Sequence, residues 1–214
     1  MERFFVVFFT LFIAYGCSNF NIIPARPYVD IEPFREVFVP EVKYNNIWER
    51  VFKENNFVDD PLPDQTERYV KRFIKNKKHF NELILNGEYY LFEVLEELDR
   101  YRLPSEFALL PYIESNYDPF SISSSGAVGL WQLMPTTGKI YNLEKTWWVE
   151  GRHDPIESTK AAVKYLAYLY NRFDRNPTLT LIAYHAGPTY LEKQIRILEG
   201  RGREVTLSNL KLSK

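Results

Sequence analysis

A glutamate that closes an apolar run is the first residue in this chain whose setting could do chemistry. In LPSEFALLPYIES, residues 103–115, Pro104 suits the first position of a helix, and Ala108, Leu109, Leu110, Pro111, Tyr112 and Ile113 lead into Glu114. A carboxyl at the C-terminal end of a helix meets the negative end of the backbone dipole, and apolar neighbours disfavour its charged form. An acid held in that way can protonate a leaving oxygen, which is the step that cleavage of a glycosidic bond requires. The plain alternative is a solvated carboxylate at a helix end, one of the 28 acidic residues of the chain.

Two later stretches add groups of the right type. GLWQLMPTTG, residues 129–138, sets Gln132 between Trp131 and Leu133. A buried amide there needs hydrogen-bond partners, and a sugar N-acetyl or hydroxyl group would supply them. Trp131 and Met134 read equally as groove wall or as core. Gly126 and Gly129 allow tight backbone turns beside them. AYHAGP, residues 183–188, supplies the Tyr184 hydroxyl and the His185 imidazole.

Other chemistries find no support. His79, His153 and His185 lie far apart without paired acidic spacing, so no metal is expected. GAVG at 126–129 lacks a third glycine and a strand-to-helix setting, so no nucleotide cofactor is expected either. The net charge of −1 and the absence of long Lys/Arg blocks exclude a phosphate-neutralising surface, and with it nucleic acid as a partner.

The elements that position these groups read as helices. Expected spans are 45–54, 77–86, 88–101, 104–115, 178–186 ending at Gly187, and 188–199 ending at Gly200. Ile156, Thr159, Val163, Leu166, Tyr170 and Phe173 form a stripe on one face of a further long helix, with Lys160 and Lys164 toward solvent. Capping boxes are expected at Asp64 with Glu67 and at Asp154 with Glu157. NYDPFSISSSGAVG, residues 116–129, is the one long loop, and any strands would be short and near 120–130.

With 214 residues, 45% of them apolar, the chain suits one core plus tails. Its 16 Phe, 15 Tyr and 4 Trp are read mainly as core, although aromatic faces also stack on sugar rings. The apolar run from Phe4 to Tyr15, followed by Gly16 and Cys17, has the length of a signal peptide rather than of a membrane span. Cys17 is the single cysteine, so no intrachain disulfide can form, and IAYGC resembles a bacterial lipoprotein signal with Tyr15 where a small residue is usual. Pro24, Pro27, Pro33 and Pro40 mark an extended tether.

Glu114-Ser115, GLWQLMPTTG and AYHAGP, in that order and spacing, resemble the lytic transglycosylase family, whose motifs read E-S, G-L-M-Q-[IL]-M-P-x-T and A-Y-N-A-G. The stretch from NIWERVF through LPSEFALLPYIES further resembles the membrane-bound murein transglycosylase D type, so the likeness covers roughly residues 45–200. The resemblance implies a mainly α, goose-lysozyme-like domain at 103–200, preceded by a signal or lipoprotein signal (1–17), a tether (18–43) and a helical extension (44–102), and followed by a tail (201–214).

It also implies roles. Glu114 is the catalytic acid and base, while Ser115, Ser123, Gly129, Gln132, Met134, Tyr184 and His185 form the substrate-binding set. Trp131 stands where Met is usual, and His185 where Asn is usual. The family continues into a segment like E-T-x-x-Y-V, to which VTLSNLKLSK has no equivalent. The implied partner is the glycan strand of peptidoglycan, cut between N-acetylmuramic acid and N-acetylglucosamine, at the periplasmic face of the envelope. Membrane attachment would come through lipidated Cys17 or an uncleaved signal, in the outer membrane where the cell has one. The rival readings are a muramidase on the same fold and a non-catalytic peptidoglycan-binding protein.

Overall fold

The structure is a computed structural model that describes residues 46–53, 57, 75 and 84–211. The chain divides into two compact units. Residues 46–53 and 84–168 belong to one, and Phe57, Lys75 and 169–211 to the other. Among the described residues regular structure is helical, and β pairing is limited to the isolated bridges Ile122 with Val128, Val128 with Leu133, and Lys145 with Glu150. Cys17 and the pair Asp64 and Glu67 lie outside the described residues.

In the first unit, α1 (Ile47–Val51) begins where the Asn46 side chain accepts hydrogen bonds from the Trp48 and Glu49 amides at 3.0 and 3.1 Å. Next comes α2 (Leu91–Arg100), which buries Leu91, Val94, Leu95 and Leu98 at helical spacing. Each leucine so buried contributes about 1.5–3 kcal/mol. Arg50 ties α1 to α2 through Glu96 at 2.6 Å and Asp99 at 2.7 Å, and the Ser105 hydroxyl donates to Val51 O at 3.0 Å.

The expected helix over 104–115 is broken in two. A 3₁₀ turn runs Ser105–Leu109, and a new helix, α3 (Leu110–Glu114), follows it. Pro111 explains the break: it lacks the amide hydrogen that would continue the helix, and it is accommodated in the first turn of α3. Glu114 therefore ends a single turn, which carries far less aligned dipole than the longer helix expected.

A short helix absent from the sequence expectations, α4 (Pro135–Ile140), also starts on a proline. The long α5 (Pro155–Arg172) matches its stripe at Thr159, Val163, Leu166 and Phe173, but Ile156 in its first turn is half exposed. Asp154 caps α5 by accepting from the Ile156 and Glu157 amides at 2.8 and 2.9 Å. The return half of the expected capping box is not made: the Asp154 amide donates to Gly151 O, and Glu157 pairs with Lys160 at 2.8 Å.

In the second unit, Asn176 caps α6 (Pro177–Ala186) through the Leu179 amide at 2.9 Å, and α7 (Pro188–Glu199) follows directly after Gly187. Arg172 meets Glu192 at 2.6 Å, and the Tyr190 hydroxyl donates to Lys211 O at 2.6 Å. Leu191, Leu198, Leu207 and Leu210 are buried, so residues 205–210 pack rather than trail.

Candidate active site

Glu114 is the last residue of α3 and is partly exposed. Immediately beyond it the backbone reverses through two consecutive left-handed residues, Asn116 at φ 58° and Tyr117 at φ 57°. Such a conformation costs about 1–2 kcal/mol for a residue with a Cβ, and asparagine tolerates it best. Tyr117 is held there by burial, by its amide on Pro111 O at 3.0 Å and by its hydroxyl on Ala108 O at 2.7 Å. Its ring also meets Tyr112 edge-on, with centroids 4.4 Å apart. Strain that surrounding structure over-determines is what fixes a short segment in place.

Ser115 connects this turn to the second motif. Its hydroxyl lies 2.8 Å from Leu130 O and 3.3 Å from Pro111 O, and with one hydrogen to give it donates principally to Leu130. The side chain thus positions the Glu114 turn against the 129–134 loop rather than pointing its proton at a ligand.

The loop itself is a compact double turn. Val128 and Leu133 exchange amide-to-carbonyl bonds at 3.2 and 3.1 Å, with Gly129 at φ 80° and Gln132 at φ 46° between them. A Cβ on Gly129 would sit 2.0 Å from Arg152 O, so this position requires glycine twice over. The left-handed backbone at Gln132 folds its amide back, and Nε2 donates to Gly129 O at 3.0 Å and Ser121 O at 3.3 Å. The donors expected to await a sugar are therefore used within the loop. Ser123 closes an adjoining turn: its hydroxyl accepts from the Ala127 amide at 2.9 Å and meets Ser125 Oγ at 2.9 Å.

Trp131, left open between groove and core, is fully buried and donates from Nε1 to Thr159 Oγ1 at 2.9 Å. It is core. Met134 precedes α4 and is partly exposed. Tyr184 and His185 occupy the last turn of α6 in the second unit, both partly exposed. Glu114, Ser115, Ser123, Gly129, Gln132 and Met134 fall in the first compact unit, and Tyr184 and His185 in the second.

Arg152 is the organising residue that the sequence did not announce. Only 3% exposed, it donates from Nη1 to Gly126 O at 3.0 Å and Leu133 O at 2.8 Å, and grips Glu150 with Nε and Nη2, both at 2.8 Å. The planar fork suits that bidentate pairing. The Arg152 guanidinium, helped by Lys145, holds the Glu150 carboxyl down at about 2, against its ordinary 4.5. Next to it, His153 Nδ1 lies 2.7 Å from Pro119 O, and since a carbonyl only accepts, that nitrogen carries the hydrogen. An arginine followed by histidine in a short polar stretch reads as a solvated surface in sequence, and no local signal separates the two cases.

Glu114 thus closes a helical turn, partly exposed, and the Ser after it is held to a glycine-turned Gln loop. A transglycosylase SLT domain matches residues 94–205, more than half of the chain, and the chain belongs to that family. Over 152 residues it is 31% identical to the membrane-bound lytic murein transglycosylase D of Escherichia coli strain K12, and equally to that of strain O6:H1; the match covers 71% of this chain and 34% of each relative. It is also 41% identical over 88 residues to an Alteromonas protein named for tributyltin chloride resistance, covering 41% of this chain and 42% of that one. The chain spans about a third of the length of the E. coli relatives it matches.

Proposed function

We propose that this chain cleaves the glycan strands of peptidoglycan as a lytic transglycosylase, with Glu114 as its single acid and base. The observation that carries the reading is the Glu114–Ser115 turn hydrogen-bonded to Leu130 of the motif loop, within a chain of the SLT family. A partly exposed carboxyl at the end of a rigid turn can reach a substrate while its own position is held from behind.

In the first step Glu114 gives its proton to the oxygen linking N-acetylmuramic acid to N-acetylglucosamine, and that bond breaks. The 2-acetamido group of the muramoyl sugar stabilises the positive charge that develops at its anomeric carbon, so no protein nucleophile is needed. In the second step the ionised Glu114 takes the proton of the muramoyl C6 hydroxyl. That oxygen attacks the anomeric carbon and closes a 1,6-anhydro ring. Glu114 ends protonated again, and water is not consumed. One carboxyl thus serves where a hydrolase uses two.

Gln132 keeps its carbonyl oxygen for a substrate N–H or O–H once its amide donors hold the loop. Ser123, Gly129, Met134, Tyr184 and His185 enter the substrate set through the motif resemblance. The same resemblance supports a goose-lysozyme-like domain and an envelope location, tethered through lipidated Cys17 and the proline-bearing segment after it. No described helix is long and apolar enough to cross a membrane.

The test is mass spectrometry of muropeptides released from purified peptidoglycan by the full-length chain, with Glu114→Gln as control. Products one water lighter than hydrolytic ones, bearing 1,6-anhydro ends, support the transglycosylase. Reducing ends would assign a muramidase instead, and no Glu114-dependent product would leave a binding protein.

A further inference from the structure

We infer that Trp147 and Trp148 form a second, non-catalytic glycan-binding platform, a proposal that rests on the reading of this chain as a peptidoglycan enzyme. Both indoles stand almost wholly in water, 87% and 88% exposed. Large aromatic rings left in solvent side by side mark a surface meant for a partner.

The turn that carries them is built, not loose. The Thr146 amide donates to Val149 O at 2.8 Å, and the Thr146 hydroxyl accepts from the Trp148 and Val149 amides at 3.2 and 3.0 Å. Below the tip, Lys145 and Glu150 pair at 3.2 Å and form a backbone bridge, and the Gly151 amide donates to Glu144 O at 2.7 Å. The rings meet at 88° with centroids 6.0 Å apart, which offers two differently directed indole faces. A platform held in advance loses little freedom when it binds.

The platform is also fastened to the loop of the candidate site. Glu150 closes the turn and is gripped by Arg152, which in turn holds the carbonyls of Gly126 and Leu133 on either side of Gln132. A strand held by the two indoles would therefore be held by the same rigid body that carries the Gln132 loop.

The chemistry favours sugar over lipid. Indole faces stack on the C–H faces of pyranose rings, and a glycan strand repeats such faces along its length. Residues 144–150 carry Glu144 and Glu150 against Lys145, one net negative charge, so nothing at the tip draws it to anionic headgroups. Two rings on a turn also lack the broad apolar face of an interfacial helix.

The experiment compares the full-length chain with its Trp147→Ala/Trp148→Ala variant on long uncrosslinked glycan strands and on a tetrasaccharide fragment. We expect kcat/KM on long strands to fall about tenfold, through KM, while fragment turnover stays within about twofold. The Trp147→Phe/Trp148→Phe variant, which keeps ring faces, should recover most of the loss. Equal losses on both substrates, or none on long strands, would overturn the platform. So would a double variant that binds strands normally but loses wild-type affinity for phosphatidylglycerol vesicles, which would assign the rings to a membrane. If the wild type turns over neither substrate, the enzymatic reading fails by itself, and sedimentation with insoluble peptidoglycan then decides: retention lost only in the double variant supports the platform, and equal retention overturns it.

Discussion

The Ser115 hydroxyl donates to the carbonyl of Leu130 at 2.8 Å, joining the residue after Glu114 to the residue two before Gln132. This bond crosses 15 positions of sequence and couples the two motifs. It makes the geometry of the acid depend on the geometry of the loop.

Ser115→Ala should therefore cost more activity than stability. Loss of one such bond destabilises by about 1 kcal/mol. Release of the Glu114 turn should lower kcat by roughly 10–100-fold, because a misplaced catalytic group is costly. Thermal melting beside steady-state kinetics checks this, and a stability loss without a kcat loss would deny Ser115 its positioning role.

Glu114→Gln keeps the size and polarity of the side chain but has no acidic proton to give. Turnover should fall by at least about 10²–10⁴-fold while the melting temperature and glycan binding persist. Muropeptide release measured with binding to insoluble peptidoglycan separates the two effects.

Glycines at 126 and 129 should answer differently to alanine. Both have positive φ, 83° and 80°, so each substitution pays backbone strain of about 1–2 kcal/mol. At Gly126 a Cβ meets nothing within 4 Å, whereas at Gly129 it meets Arg152 O at 2.0 Å. Gly129→Ala should be the more damaging by at least about 1 kcal/mol in chemical denaturation.

Glu150 gives acid lability a definite window. Its folded carboxyl titrates at about 2, below the ordinary 4.5, so the unfolded chain binds the proton more readily. The stability it contributes is complete above about pH 4.5 and is lost as pH falls toward 2. Melting curves between those values should show a smaller decline for Glu150→Gln than for wild type, on top of a lower stability at neutrality. Parallel declines would remove Glu150 from the acid response.

Trp131→Phe tests the assignment of that ring to the core. The buried Thr159 hydroxyl loses its indole donor, at a cost of about 1–3 kcal/mol. Specificity for glycan strands should hold in the folded fraction, which kinetics below the melting temperature would show.

Much of this was legible in the sequence because it is local. Helical periodicity marked α2, α5, α6 and α7 to within a few residues, and Gly187 ends α6 by backbone chemistry that needs no distant partner. The Glu114-Ser115, Gln132 and Tyr184 motifs were readable as residue types at fixed spacings. Pro111 also stood in plain view, yet its effect was missed: a proline inside an apolar run restarts the helix, and Glu114 ends a single turn for that reason.

Tertiary structure alone decided the rest. Whether Trp131 faces a groove or a core depends on Thr159, 28 positions away. Whether the Gln132 amide waits for a ligand or braces its own loop depends on a left-handed backbone that no residue type announces. Arg152 became the fastening of the site, and the neighbouring Trp147 and Trp148 stayed in water, because carbonyls from Gly126 and Leu133 converge on one side chain and nothing among the described residues covers the other two. Periodicity and caps act along the chain and can be read there. Burial and convergence are set by groups distant in sequence, and they exist only once the chain has folded.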